Sequence, residues 1–76
     1  MNLQQQFNAD DVAWRRDDRD ETIEFVADFG PHGESSADIV GDTLIVIVDG
    51  EHYEYDVPSD VTAFMSNGVL TIEVSK

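Results

Sequence analysis

The sequence predicts an all-β fold, an antiparallel sandwich of about seven short strands. Three observations predict it. Apolar and polar residues alternate with period two over 22–29, 51–57 and 69–74, as in strands with one buried face. Two dipeptides suited to tight hairpins, Asp49-Gly50 and Asn67-Gly68, separate strand-like runs. Beyond the first nine residues no window shows helical periodicity. Short strands spaced this closely pack as a sandwich.

Each element follows in order. Residues 1–11 read as a flexible or short helical tail; Leu3 and Phe7 stand four apart, so one helical turn docks both on the domain that follows. Residues 12–76 form that domain. Val12 to Arg16 is an edge strand whose charged flanks discourage pairing with other chains. Asp17 to Asp20 is a polar turn. In the next strand Ile23, Phe25, Ala27 and Phe29 share one face. Gly30-Pro31-His32-Gly33 breaks the chain. Ala37 to Val40 is a short strand, and Gly41-Asp42 turns into Thr43–Val48. That run is apolar on both faces and rich in β-branched residues, so it is expected at the centre, covered on both sides. Tyr53, Tyr55 and Val57 alternate with His52, Glu54 and Asp56 until Pro58 ends the strand. Thr62 to Met65 is the sixth strand. In the last, Leu70, Ile72 and Val74 face the core.

Composition sets bounds on function. The chain has 76 residues, enough for one small domain. A domain of this size buries only about 60% of its unfolded surface, so its core is thin. Cysteine is absent, which removes disulfides and thiolate metal sites. Seventeen acidic residues against four Lys or Arg give a net charge of −13. Such a surface repels nucleic acid and anionic membranes, so neither is expected as a partner. Leu44 to Val48, the longest apolar run, is too short to span a bilayer. The start, MNLQQQF, lacks the features of a signal peptide, and a cytoplasmic protein is expected. With 41% hydrophobic residues in strand patterns, disorder does not account for the acidity. Adaptation to high salt does, because at about 1 M the Debye length falls to about 3 Å and carboxylate repulsion is screened.

Several segments carry a family resemblance. Ala63-Phe64-Met65-Ser66-Asn67-Gly68-Val69-Leu70-Thr71-Ile72 resembles the A-x-x-x-n-G-V-L-T-I signature of the α-crystallin domain of small heat-shock proteins. Tyr55-Asp56-Val57-Pro58 is similar to the aromatic-x-L-P element that precedes it. Gly41-Asp42-Thr43-Leu44-Ile45-Val46 resembles the family's g-n-x-L-x-I turn and strand, and Val26-Ala27-Asp28-Phe29-Gly30-Pro31 its v-x-A-D-l-P-G segment with Gly and Pro inverted. The order agrees over residues 22–76. The resemblance implies an immunoglobulin-like sandwich of α-crystallin type, with Ala63, Asn67, Gly68, Val69 and Leu70 as its structural motif. It also implies an ATP-independent chaperone or chaperone-accessory protein that binds partly unfolded clients. Binding would use strand addition at a sheet edge or the groove between the 37–40 and 62–65 strands. Ile39, Val40, Phe64 and Met65 are the candidates there.

The departures bear on assembly. Family members usually carry a long loop where this chain has Asp49-Gly50, and a C-terminal I-x-I tail that is missing here. A monomer or weak dimer is therefore expected, not a large oligomer. The bare domain is similar in outline to CS domains, which are mostly monomeric adaptors, and an adaptor without holdase activity is the alternative function.

Chemistry of other kinds finds little support. Asp17, Asp18 and Asp20 echo a calcium loop, but Arg19 intervenes and the later glycine and bidentate Glu are absent. His32 and His52 have no partners at metal-ligand spacing. The serines lack a nucleophile-elbow pattern, and no Gly-rich phosphate loop occurs. No catalytic, metal or cofactor site is expected, and the chain does not read as an enzyme. Trp14, the single Trp, reads as packing or as an aromatic anchor for a partner. Arg15 and Arg16 beside it form the compact positive patch and are expected to neutralise nearby Asp groups.

Overall fold

The computed structural model describes residues 2–30 and 34–76, so Pro31, His32 and Gly33 of the breaker loop lie outside the described residues. One helix precedes seven strands: α1 (Leu3–Ala9), β1 (Ala13–Asp18), β2 (Thr22–Asp28), β3 (Ser35–Val40), β4 (Thr43–Val48), β5 (Glu51–Asp56), β6 (Val61–Ser66) and β7 (Val69–Ser75). They form two antiparallel sheets, a four-stranded one in the order β1-β2-β7-β6 and a three-stranded one in the order β3-β4-β5. The fold is an all-β sandwich.

The register explains the burial. In β2 and β7, Phe25 lies opposite Ile72 and Ala27 opposite Leu70; all four are buried. In β4 and β5, Leu44 lies opposite Tyr55 and Val46 opposite Tyr53. Tyr55, Phe7, Leu44, Leu70, Ile72 and Val46 are the largest side chains fully removed from solvent. Each stabilises the fold by roughly 1.5–3 kcal/mol relative to exposure. At the two hairpins the chain enters the left-handed region, with φ 50° and 82° at Asp49 and Gly50 and 51° and 79° at Asn67 and Gly68. Such pairs of positive φ match the strand twist in a two-residue connection.

Three local expectations change. The first strand runs on to Asp18, because Asp17 and Asp18 pair with Glu24 and Ile23; the turn is tighter and closes with Arg19 N–H donating to the Thr22 carbonyl at 2.8 Å. The third strand starts earlier, since Ser35 and Ser36 pair with Val48 and Ile47. Finally, β4 is central in its sheet but has one covered face. Leu44, Val46 and Val48 are buried, whereas Ile47 is 43% exposed. Among the described residues the sandwich has two sheets, and nothing lies over the outer face of β4.

The unequal sheets explain α1. β3 and β6 run beside each other and close one side of the sandwich. On the other side, the fourth strand of the larger sheet has no strand opposite, and α1 packs there against β1 and β5. A seven-residue helix is marginal alone. Its start is fixed by a reciprocal cap: Asn2 Oδ1 accepts from Gln5 N–H at 2.8 Å, and Gln5 Oε1 accepts from Asn2 N–H at 3.3 Å. Leu3 and Phe7 sink into the core, and the Phe7 ring meets Tyr55 edge-on with centroids 5.0 Å apart.

Candidate functional site

The sequence candidates divide between two places. Val40 stands on the outer side of β3 and Phe64 on the outer side of β6, each 59% exposed. Ile39 and Met65 point inward from the same strands and are half-buried against the core. β3 and β6 are edge strands of different sheets and lie side by side. The fold thus sets the strands that carry Ile39, Val40, Phe64 and Met65 side by side along one seam, with Val40 and Phe64 on the outer faces of the two opposing sheets, and among the described residues neither strand has a ladder partner on that side. Such edges can accept an added strand.

Trp14 is elsewhere. It lies on the inner face of β1, opposite Ala27, and packs half-buried against the core. Its Nε1–H donates to Asn8 Oδ1 at 2.8 Å, tying strand to helix. β1 and β6 are the opposite edges of the four-stranded sheet, so Trp14 does not join the seam. The motif residues do hold structure: Asn67 and Gly68 make the turn, Leu70 is buried, and Ala63 packs against the core. Val69 faces out beside Ala13 and Val26 in a shallow depression.

The far side of the sandwich holds a feature the sequence reading missed. Gln6 turns its side-chain amide onto the free edge of β5. Gln6 Oε1 accepts from Asp56 N–H at 2.7 Å, and Gln6 Nε2 donates to the Asp56 carbonyl at 3.0 Å. One amide thereby copies the two hydrogen bonds of a neighbouring strand. The Asn2-to-Gln5 capping pattern was the available signal for the helix; nothing local announces a contact across 50 positions. Beside α1, Leu3, Ile23, Phe25, Val57, Pro58 and Val74 line a groove of about 600 Å³. The Arg16 guanidinium reaches into it, 5.9 Å from the Phe25 ring centre.

The electrostatics of this side are local. Arg16 donates to Asp18 at 2.6 Å and so holds that carboxyl below its usual range. Arg19 lies 3.3 Å from Asp17 and 3.4 Å from Glu24. Lys76 Nζ donates to the Arg19 carbonyl. All four Lys and Arg residues of the chain therefore collect on β1, the turn after it, and the C-terminal residue beside that turn. Tyr53 donates to Glu51 at 2.9 Å, a bond that raises its phenol pKa. Burial, and then the Asp10 carboxylate, push Tyr55 up. Asp10 lies close to the buried Tyr55 Oη, but no atom among the described residues meets hydrogen-bond geometry with that hydroxyl.

Metal chemistry has no framework among the described residues: no three His, Asp or Glu side chains converge on one point. Asp17 and Asp18 are engaged by arginines instead, and His52 lies 3.3 Å from Glu54 on an exposed face. His32 lies outside the described residues. No helix among those residues is long and apolar enough to cross a membrane.

A family model matches residues 1–74, from α1 into the last strand. The chain belongs to DUF7127, a family of unknown function. The DUF7127 match spans α1 together with all seven strands, so the helix is part of what defines the family. No curated protein and no solved structure matches the chain.

Proposed function

We propose that this protein is a small heat-shock-like chaperone or chaperone-accessory protein. It holds partly unfolded clients without ATP and without catalysis, in a high-salt cytoplasm. The observation that carries this reading is the seam: Val40 and Phe64 stand largely exposed on two adjacent edge strands. Apolar side chains beside unpaired strand edges offer what an extended, partly unfolded segment needs. The edge supplies main-chain hydrogen bonds and the side chains supply apolar contact. The resemblance of residues 22–76 to the α-crystallin domain, including the hairpin at Asn67-Gly68, supports the same reading. The protein acts as a monomer or weak dimer. Its test is suppression of thermal aggregation of a model client in high salt; no suppression at several-fold molar excess contradicts the proposal.

The Asp49-Gly50 turn favours a second reading. It joins β4 directly to β5 and leaves no loop to exchange between subunits. A monomeric adaptor of CS type, with one dedicated partner and no holdase activity, fits that compactness. Pull-down in high salt separates the two. A single stoichiometric partner marks the adaptor, and a broad set that grows on heating marks the chaperone.

High salt is a separate element of the proposal. With a net charge of −13, the fold is expected to loosen below about 0.1 M salt, where the Debye length reaches about 10 Å, and to recover as salt is added. Far-UV circular dichroism across a salt titration checks this, and full structure in salt-free buffer contradicts it.

A further inference from the structure

The outer face of the three-stranded sheet carries two isoleucines on its central strand, with one carboxylate on the β3 side and two on the β5 side. Thr43, Ile45 and Ile47 form the central row on β4. Across the ladder, Asp38 of β3 and Glu54 of β5 flank Ile45, and Val40 of β3 and Asp56 of β5 flank Thr43. Ile47 is 43% exposed, with Ser36 and His52 on its two sides. Outward isoleucines beside carboxylates are not explained by the sandwich, whose core lies on the other face. No Lys or Arg occurs between Arg19 and Lys76, so the only basic group of this sheet beside those carboxylates among the described residues is His52, 3.3 Å from Glu54.

We propose that this face docks a basic amphipathic helix of a partner protein. The inference goes beyond client binding at the β3–β6 seam: the face borders that seam at Val40, and the argument rests on Ile45, Ile47 and the carboxylates beside them. Size selects a helix. Three six-residue strands present a face roughly 14 Å by 20 Å, and a 14-residue helix is about 10–12 Å across and about 21 Å long. Leucines at i, i+3, i+4 and i+7 lie over Ile45 and Ile47, while Lys or Arg on the helix flanks reaches Asp38 on one side and Glu54 and Asp56 on the other. Charge excludes other occupants. A second copy brings the same carboxylates face to face, and α1, LQQQFNA, the one helix among the described residues, carries no basic residue. Anionic lipid and nucleic acid are repelled by the carboxylates.

The probe is a 14-residue Leu–Lys peptide with that leucine spacing, titrated into ¹⁵N-labelled protein at the lowest salt that keeps a native circular dichroism spectrum. Saturable binding is expected, with amide shifts centred on Asp38, Thr43, Ile45, Ile47 and Glu54. The same peptide with Glu for Lys is expected not to bind. Ile47→Lys should weaken binding at least about tenfold while leaving client protection unchanged. Should that variant lose its native spectrum, Asp38→Lys with Glu54→Lys tests the acidic rails while keeping the apolar row, with the same loss expected. Four results overturn the proposal: no saturable binding at millimolar peptide, shifts centred on Phe64 and Met65, equal binding of the Glu peptide, or undiminished binding by the folded variants.

Discussion

The two lateral sides of this sandwich are closed in different ways. On the β1–β5 side a helix fills the gap, Phe7 enters the core, and the Gln6 amide occupies the β5 edge at Asp56. On the β3–β6 side two edge strands meet with no cover, and Val40 and Phe64 face solvent. The chain therefore covers an edge with a helix and a side-chain amide on one side and sets two strand edges beside each other on the other. A thin core does not account for the difference, since Val40 and Phe64 leave the core intact on the inner faces of the same strands. The uncovered side is the one that carries the proposed activity.

The largest expected effect breaks the sealed side. Phe7→Ala removes a fully buried ring from beneath the helix and is expected to cost about 3–5 kcal/mol. That is a large part of the stability of a small domain, and urea unfolding measures it. A loss below about 1 kcal/mol would mean that α1 is an appendage. Gln6→Ala is next, at about 1 kcal/mol, with faster amide exchange at Asp56 and unchanged exchange in β6. Uniform acceleration would show that the amide is not an edge seal.

Tyr55 sharpens the same side through pH. Its folded pKa lies above the ordinary phenol value near 10. The stability this represents is fully present below about pH 10 and is lost as pH rises from there toward the folded pKa. Tyr55→Phe should remove that part of the alkaline fall in melting temperature. It should also stabilise the protein at neutral pH by about 1 kcal/mol, because the buried hydroxyl has no partner. Destabilisation at neutral pH would reveal a bond to Oη. The smallest effect belongs to the open side: Val40→Ser with Phe64→Ser should change stability by less than about 0.5 kcal/mol. A larger loss would make these residues part of the core.

These predictions also mark what was legible in the sequence. The strands could be read because period two, the Asp49-Gly50 and Asn67-Gly68 turns and Pro58 are local signals. That the 37–40 and 62–65 strands lie beside each other was expected only through the family resemblance. The Gln6–Asp56 contact could not be read, since a side chain that stands in for a strand leaves no periodic trace. Ile45 and Ile47 were misread for a physical reason: an apolar pattern on both faces records what a strand can bury, and this chain supplies only one covering layer. Trp14 was ambiguous for the opposite reason, because a lone aromatic in a short strand does not say which face is inward.

The most direct measurement compares client protection by the wild type and by the Val40→Ser, Phe64→Ser variant in high salt. The wild type should suppress aggregation of a model client. The variant, folded and equally stable, should lose most of that effect. Equal protection by both proteins, or none by the wild type at several-fold excess, would contradict the assignment of the open seam as the working surface.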